Sequence, residues 1–128
     1  MSAGLADTSV FIASESGRQI DTTRLPAILR VSVITIGELR QGVLGASDAE
    51  VRSRRLDTLT RASSLEPIPV SEPVAEAWAL MRVRLHATGR SMPVNDSWIA
   101  ATAIALGIPV VTQDDDYLHA PGVEVIRV

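Results

Sequence analysis

Cysteine is absent from this sequence, and so is lysine: all twelve basic residues are arginine. Without thiols there is no thiolate zinc site, no iron–sulfur cluster and no thiol catalysis, and the composition fits a reducing compartment. Without an amine side chain there is no P-loop lysine and no Schiff-base chemistry. A net charge of −3 lacks the basic surplus of proteins that grip nucleic acid by bulk electrostatics. No apolar run approaches the roughly 20 residues needed to cross a bilayer. No basic segment followed by a long apolar run marks a signal peptide. The expectation is a cytoplasmic protein with no membrane association.

Hydrophobic residues make up 46 % of the 128 positions, enough for one core without disulfides or a structural metal. No repeat or low-complexity segment interrupts the chain, which reads as one domain over residues 1–128. Met1–Asp7 reads as a first strand, and Thr8–Ser14 as a helix stopped by Gly17. Asp21–Leu29 suggests a short helix with Thr22 or Thr23 as cap and Pro26 in an early turn. The β-branched run Val31–Ile34 predicts a buried strand, followed by a helix over Thr35–Val43. Ser47 with Glu50 forms a capping box for the next helix, and Leu65–Val70, with two prolines, is an extended connector. Helices follow over Ser71–Thr88 and Val94–Leu106, then strands over Ile108–Val111 and Val123–Val128. Strands alternating with helices predict an α/β fold with a mainly parallel sheet covered on both faces.

That topology gives the acidic residues a common address. In a parallel sheet the helices start near the edge where strands end, and that edge is where such folds bind ligands. Asp7 ends the first strand, Glu38 lies in the first turn of its helix, Asp96 lies in the first turn of another, and Asp114, Asp115 and Asp116 follow a strand directly. Each has an ordinary explanation. Asp7 can cap a helix; Thr35-x-x-Glu38 is a capping box as it stands; Asp96 favours a helix dipole, with Asn95 as cap; the triplet can be a solvated turn. Taken together they are harder to explain that way. Like charges about 4 Å apart repel by roughly 4 kcal/mol at an effective dielectric of 20, so a cluster needs protons, counter-charge or a metal. Oxygen ligands without cysteine suit Mg²⁺ or Mn²⁺. Ions held in this way activate water and neutralise charge in phosphate chemistry. Two other acidic α/β sites fail for want of residues. A phosphoacceptor receiver domain needs a lysine, and a haloacid-dehalogenase phosphatase needs Asp-x-Asp where this chain has Asp7, Thr8 and Ser9.

The segments ADTSVFI with Asp7, SVITIGELRQGV with Glu38, NDSWIAATA with Asp96, and VVTQDDDY resemble the PIN-domain family, and most nearly its VapC-type toxin ribonucleases. The resemblance runs in order over nearly the whole chain. It implies a three-layer α/β/α sandwich, Mg²⁺-dependent cleavage of RNA with Mn²⁺ as a substitute, a VapB-like antitoxin partner, and assembly as a homodimer and a toxin–antitoxin hetero-oligomer. Carried over by motif, Asp7, Glu38 and Asp96 match the family's metal-binding acids. Asp116 is favoured as the fourth, with Asp114 close behind and Asp115 the tolerant member. Asp7, Asp96, Asp114 and Asp116 then hold metal, and Glu38 binds directly or through water. Asp7, Glu38, Asp96 and Asp116 carry the chemistry. Thr112 matches the family's hydroxyl residue beside the site, and Ser9 orients Asp7. RNA contact falls to an arginine patch, with Arg40 as first candidate and Arg52, Arg54, Arg55, Arg82 and Arg84 behind it. The rival reading is a catalytically silent PIN-like module that binds RNA or protein.

Overall fold

A computed structural model describes all residues from Met1 to Val128. β1 (Ala3–Ala6) leads into α1 (Thr8–Ser16), and a single 3-10 turn over Thr22–Arg24 precedes β2 (Ile28–Arg30). Four helices follow: α2 (Val33–Leu44), α3 (Ala49–Ser63), α4 (Glu72–Ala87) and α5 (Val94–Leu106). The chain closes with β3 (Val110–Thr112) and β4 (Val125–Arg127). The four strands form one sheet in the order β2-β1-β3-β4, and every pairing is parallel. No helix is long and apolar enough to cross a membrane.

Side-chain alternation along the central strands builds the layers. Leu5 and Val110 are paired neighbours that pack with Val74, Met81 and Leu85 of α4 and Ile99 of α5. The next residues on each strand, Ala6 and Val111, turn to the other face and pack with Val10 of α1. A third cluster, Leu39 and Val43 of α2 with Leu59 and Ala62 of α3, joins the α2–α3 hairpin to Phe11 of α1. Helices therefore cover both faces, as an α/β/α sandwich requires. Gly4 keeps the central pairing tight. A Cβ there would meet Val111 Cγ2 at 2.7 Å and Pro26 Cγ at 2.8 Å.

The second strand lies earlier than the apolar run suggests. Val31–Ile34 is buried or half-buried, but it is the junction between strand and helix. Ser32 is extended and its hydroxyl caps Ile34 N at 3.0 Å, so α2 starts at Val33. Backbone bonds from Ile68 N to Val31 O and from Val33 N to Ile68 O bury this junction against the Leu65–Val70 connector. The real strand, Ile28–Arg30, is an edge strand with Ile28 exposed, and so lacks the apolar signature of a central one. The expected helix over Asp21–Leu29 is reduced to the 3-10 turn, with Asp21 as cap in place of Thr22 or Thr23. Leu25, ahead of Pro26, is extended (φ −67°, ψ 132°), the conformation proline imposes on its predecessor. Asp48, not Ser47, caps α3 by accepting from Val51 N at 2.9 Å. The last two strands are shorter than expected, at three residues each, and β4 forms the other edge.

This order creates a switch point. From β1 the chain crosses to β2 on one side, while β3 lies on the other and is followed by β4 further out. The crevice at the carboxyl ends of β1 and β3 is where open α/β sheets place ligands.

Candidate active site

Asp7 stands at the end of β1, only 2 % exposed. It caps α1: Oδ1 accepts from Ser9 N at 3.1 Å and from Ser9 Oγ at 2.5 Å. Oδ2 accepts from Thr112 Oγ1 at 2.8 Å, across the crevice at the end of β3. Burial pushes the Asp7 carboxyl above its ordinary range, the Ser9 and Thr112 hydrogen bonds pull it back, and the nearby Asp114 charge raises it again. The ordinary explanation for Asp7 is thus true as far as it goes. A cap, however, has no need of a second strand's hydroxyl on its other oxygen. Thr112 Oγ1 also accepts from Asp114 N at 3.0 Å, and Ser9 Oγ accepts from Gln113 N at 3.0 Å. These hydroxyls tie the acidic loop to the β1–α1 corner.

Glu38 is not part of a capping box, because the cap of α2 is Ser32, one turn earlier. Its Oε1 accepts from Thr8 Oγ1 at 2.6 Å, and Thr8 Oγ1 lies 3.0 Å from Thr35 Oγ1. Thr8 on α1 therefore holds Glu38 of α2 toward the crevice.

Asp96 occupies the first turn of α5, and it is no cap either. Pro93 takes the cap position without a side-chain bond, and Asn95 does not fill it. The carboxyl's one hydrogen bond is long, from the Tyr117 hydroxyl at 3.4 Å. Its pKa is pushed from 3.8 to about 7, first by burial, then by the charges of Asp116, Asp7, Glu38 and Asp114. Tyr117 is almost fully buried in the core, and its hydroxyl is pushed well up by burial and by Asp7, Asp96 and Glu38.

The three aspartates after β3 differ. Asp114 is half-buried and its carboxyl is raised, by burial first and then by Asp116, against the lowering effect of Arg18 and Arg127. Asp116 is exposed and is the strongest of the like-charged neighbours acting on Asp96. Asp115 is exposed and forms an ion pair with Arg127, whose Nε also donates to Gln113 O at 3.1 Å.

The structure thus brings Asp7, Glu38, Asp96, Asp114 and Asp116 into one electrostatic unit, with Ser9 and Thr112 bonded to Asp7. Arg40 is set apart from it. It is exposed and lies two positions past Glu38, roughly 200° round the helix. Arg52 and Arg55 donate at 2.8 Å to Ala46 O and Gly42 O, fixing the α2–α3 turn. Arg82 lies 5.5 Å over Trp78, which stacks on Trp98 with ring centroids 4.3 Å apart. Three residues escaped the sequence reading: Thr8, Gln113 and the Tyr117 hydroxyl. The available signal was their adjacency to Asp7, Thr112 and Asp116.

The acids sense one another strongly, yet no three of them close around one point at ligand distance. The donor set fits a divalent cation: only oxygen ligands are present, the charge is concentrated, and guanidinium relief reaches Asp114 alone among the raised carboxyls.

Comparison with known proteins gives the same direction. A PIN domain profile matches residues 5–123. The chain is 46 % identical to Ribonuclease VapC5 of Mycobacterium tuberculosis over 129 residues, spanning 98 % of this chain and 96 % of that protein. It is 52 % identical to Ribonuclease VapC4 of the same organism over 125 residues, spanning 97 % and 95 %. Among solved structures, a crystal structure of VapBC-5, a member of the VapBC family of toxin–antitoxin systems from Mycobacterium tuberculosis, superposes with a TM-score of 0.91 at 43 % identity over 100 % of both chains.

Proposed function

The chain belongs to the PIN-domain family, in its VapC branch, and on that premise we propose that it is the toxin of a toxin–antitoxin pair, an endoribonuclease that hydrolyses RNA phosphodiester bonds. The cofactor in this reading is a divalent cation, Mg²⁺ with Mn²⁺ as a substitute, held by Asp7, Asp96, Asp114 and Asp116. The observation that carries it is the rim itself: Asp7 bonded across to Thr112, Glu38 held by Thr8 and Asp96 beside Tyr117, with burial and the charges of Asp116, Asp7, Glu38 and Asp114 raising the Asp96 carboxyl.

The chemistry a divalent ion supplies in such a setting is Lewis-acid polarisation of a phosphoryl oxygen and easier ionisation of water. The chain's own residues do the rest. Ser9 and Thr112 engage one oxygen each of Asp7 and fix its plane. Thr8 occupies Glu38 Oε1, leaving Oε2 to accept a proton from an attacking water. Tyr117, buried against α5, supports Asp96 from below and keeps water off that side.

The partner in this reading is a VapB-like antitoxin, and the assemblies are a homodimer and a toxin–antitoxin hetero-oligomer. With no lysine of its own to neutralise the rim, the toxin suits an antitoxin arginine whose planar fork takes carboxylates bidentately. Such an arginine competes with metal for the same oxygens, and by linkage excess metal weakens the antitoxin.

The test is incubation of the protein with total RNA, with sequencing of the new 5′ ends, in Mg²⁺ and in EDTA. The expected result is a defined set of ends that appears only with metal. Undiminished cleavage in EDTA overturns the mechanism, and no cleavage in either condition returns the protein to the silent binding reading.

A further inference from the structure

A second feature of the same rim is cationic. α4 runs antiparallel to α5, so its C-terminal end lies on the side of the sheet where α5 begins. There Gly89 is left-handed (φ +69°), and Arg90 N turns back to bond Leu85 O at 2.9 Å. This reversal returns Arg90 to the last turn of α4, where Arg84 already sits. The facing wall is the segment after Tyr117. It is held by bonds from Leu118 N to Asp115 O and from Ala120 N to Tyr117 O, both 3.1 Å. Between the two walls is an open cavity of about 690 Å³, lined by Arg84, Arg90 and His119 with Thr88, Leu118 and Pro121.

Neither guanidinium is committed elsewhere. The one ion pair in the molecule is Arg127 with Asp115, and the side chains of Arg84, Arg90 and His119 make no hydrogen bond. Cations in a last helical turn favour the helix dipole, which is a sufficient reason for Arg84 alone. It does not explain an arginine beyond the helix and a histidine from another loop lining the same cavity. The loop that carries His119 and Leu118 on this wall also carries Asp114 and Asp116 at the acid site. The cavity and the acid site thus share one loop.

We propose that Arg84, Arg90 and His119 form a subsite for a backbone phosphate of the RNA strand flanking the scissile bond. The inference rests on the RNA-cleaving reading above. It also accounts for how a chain of net charge −3 holds a polyanion: the attraction is local, set beside the acids and not spread over the surface.

The probe is a fluorescent oligouridylate, bound in Mg²⁺ to an Asp96→Asn background in which cleavage is silenced. Adding Arg84→Gln and Arg90→Gln should weaken binding about tenfold and lower the slope of log affinity against log salt by about 0.7 for each phosphate no longer neutralised. In the wild-type background the same pair should raise KM and leave kcat within about twofold, the mark of uniform binding. Both residues are at a helix end, so circular dichroism of every variant, with Mn²⁺ binding to the acid rim measured for the pair in the wild-type background, checks that the fold is intact. Arg24→Gln, in the 3-10 turn away from the cavity, should change none of these. Unchanged affinity and slope in the double variant, or an equal loss in Arg24→Gln, overturns the subsite while RNA cleavage by the wild type stands. If the wild type neither binds nor cuts RNA, both readings fall together.

Discussion

Asp7 and Asp96 sit across one crevice, and the protein treats them in opposite ways. Asp7 is buried and held on both oxygens by Ser9 and Thr112. Asp96 is half-exposed, with one long bond from Tyr117 and four like charges in view. The first corner is built so that the fold needs the carboxylate. The second is built so that the carboxylate opposes the fold. An acid retained against its own electrostatic cost, at a helix start it does not cap, is most simply explained by something the folded protein binds.

Substitutions should break the comparison most sharply at Asp7. Asp7→Ala removes a helix cap, about 0.5–2 kcal/mol, and takes the carboxylate acceptor from the buried Thr112 hydroxyl and the half-buried Ser9 hydroxyl, about 1–3 kcal/mol more. Urea unfolding should show a loss of about 2 kcal/mol or more together with loss of RNA cleavage. Asp7→Asn caps as well as Asp, so it should keep most of the stability and still lose more than about a hundredfold in cleavage. A loss from Asp7→Asn no larger than the roughly 10–100-fold expected of a supporting residue would demote Asp7 to scaffold.

At Asp96 the two effects should separate. Asp96→Asn should abolish cleavage while the metal-free fold is as stable as the wild type or more so. A merely dipolar role predicts the reverse: Asn lacks the charge, so stability should fall by about 0.3–1 kcal/mol while cleavage stays intact.

The pH dependence sharpens the same contrast. An unfolded Asp96 loses its proton near 3.8, the folded one near 7. Between those values the folded chain binds more protons than the unfolded one, so stability falls as pH rises. The contribution is fully present below about pH 4 and gone above about pH 7. Melting in EDTA across that window should show a declining Tm, and Asp96→Asn should flatten the decline. Asp7 and Asp114, also raised, add slope of the same sign. A Tm that rises through this window would contradict the electrostatic picture.

The smallest effects belong to the loop. Asp115→Asn breaks an exposed pair with Arg127, worth about 0–1 kcal/mol, and should leave Mn²⁺ affinity intact. Asp114→Asn and Asp116→Asn should each weaken it. Equal Mn²⁺ affinity across the three variants would remove this loop from the site.

Much of this was legible in the sequence, for reasons that also explain what was not. Asp7, Glu38, Asp96 and the aspartate triplet could be gathered because strand ends and helix starts share an edge in any parallel sheet. The gathering survived a misplaced second strand, because Ser32 still starts α2 on that edge. VSVI misled because burial, not strand geometry, sets its composition: the connector at Ile68 covers it. Glu38 resembled half of a capping box because hydroxyl residues recur one turn apart at Ser32 and Thr35, and local spacing does not choose between them. Ser9 and Thr112 were placed beside Asp7 by the family resemblance alone, and their bonds could not be read from the residues for a different reason. Thr112 meets Asp7 across 105 positions of chain, and no local pattern encodes such a pairing.

The most direct test of the central claim is calorimetric titration of Mn²⁺ into the wild-type protein and Asp96→Asn. Saturable binding to the wild type that is strongly weakened in the variant is the predicted result. Equal affinity in the two proteins would contradict the account, leaving Asp96 as an ordinary first-turn acid and the rim without its cation.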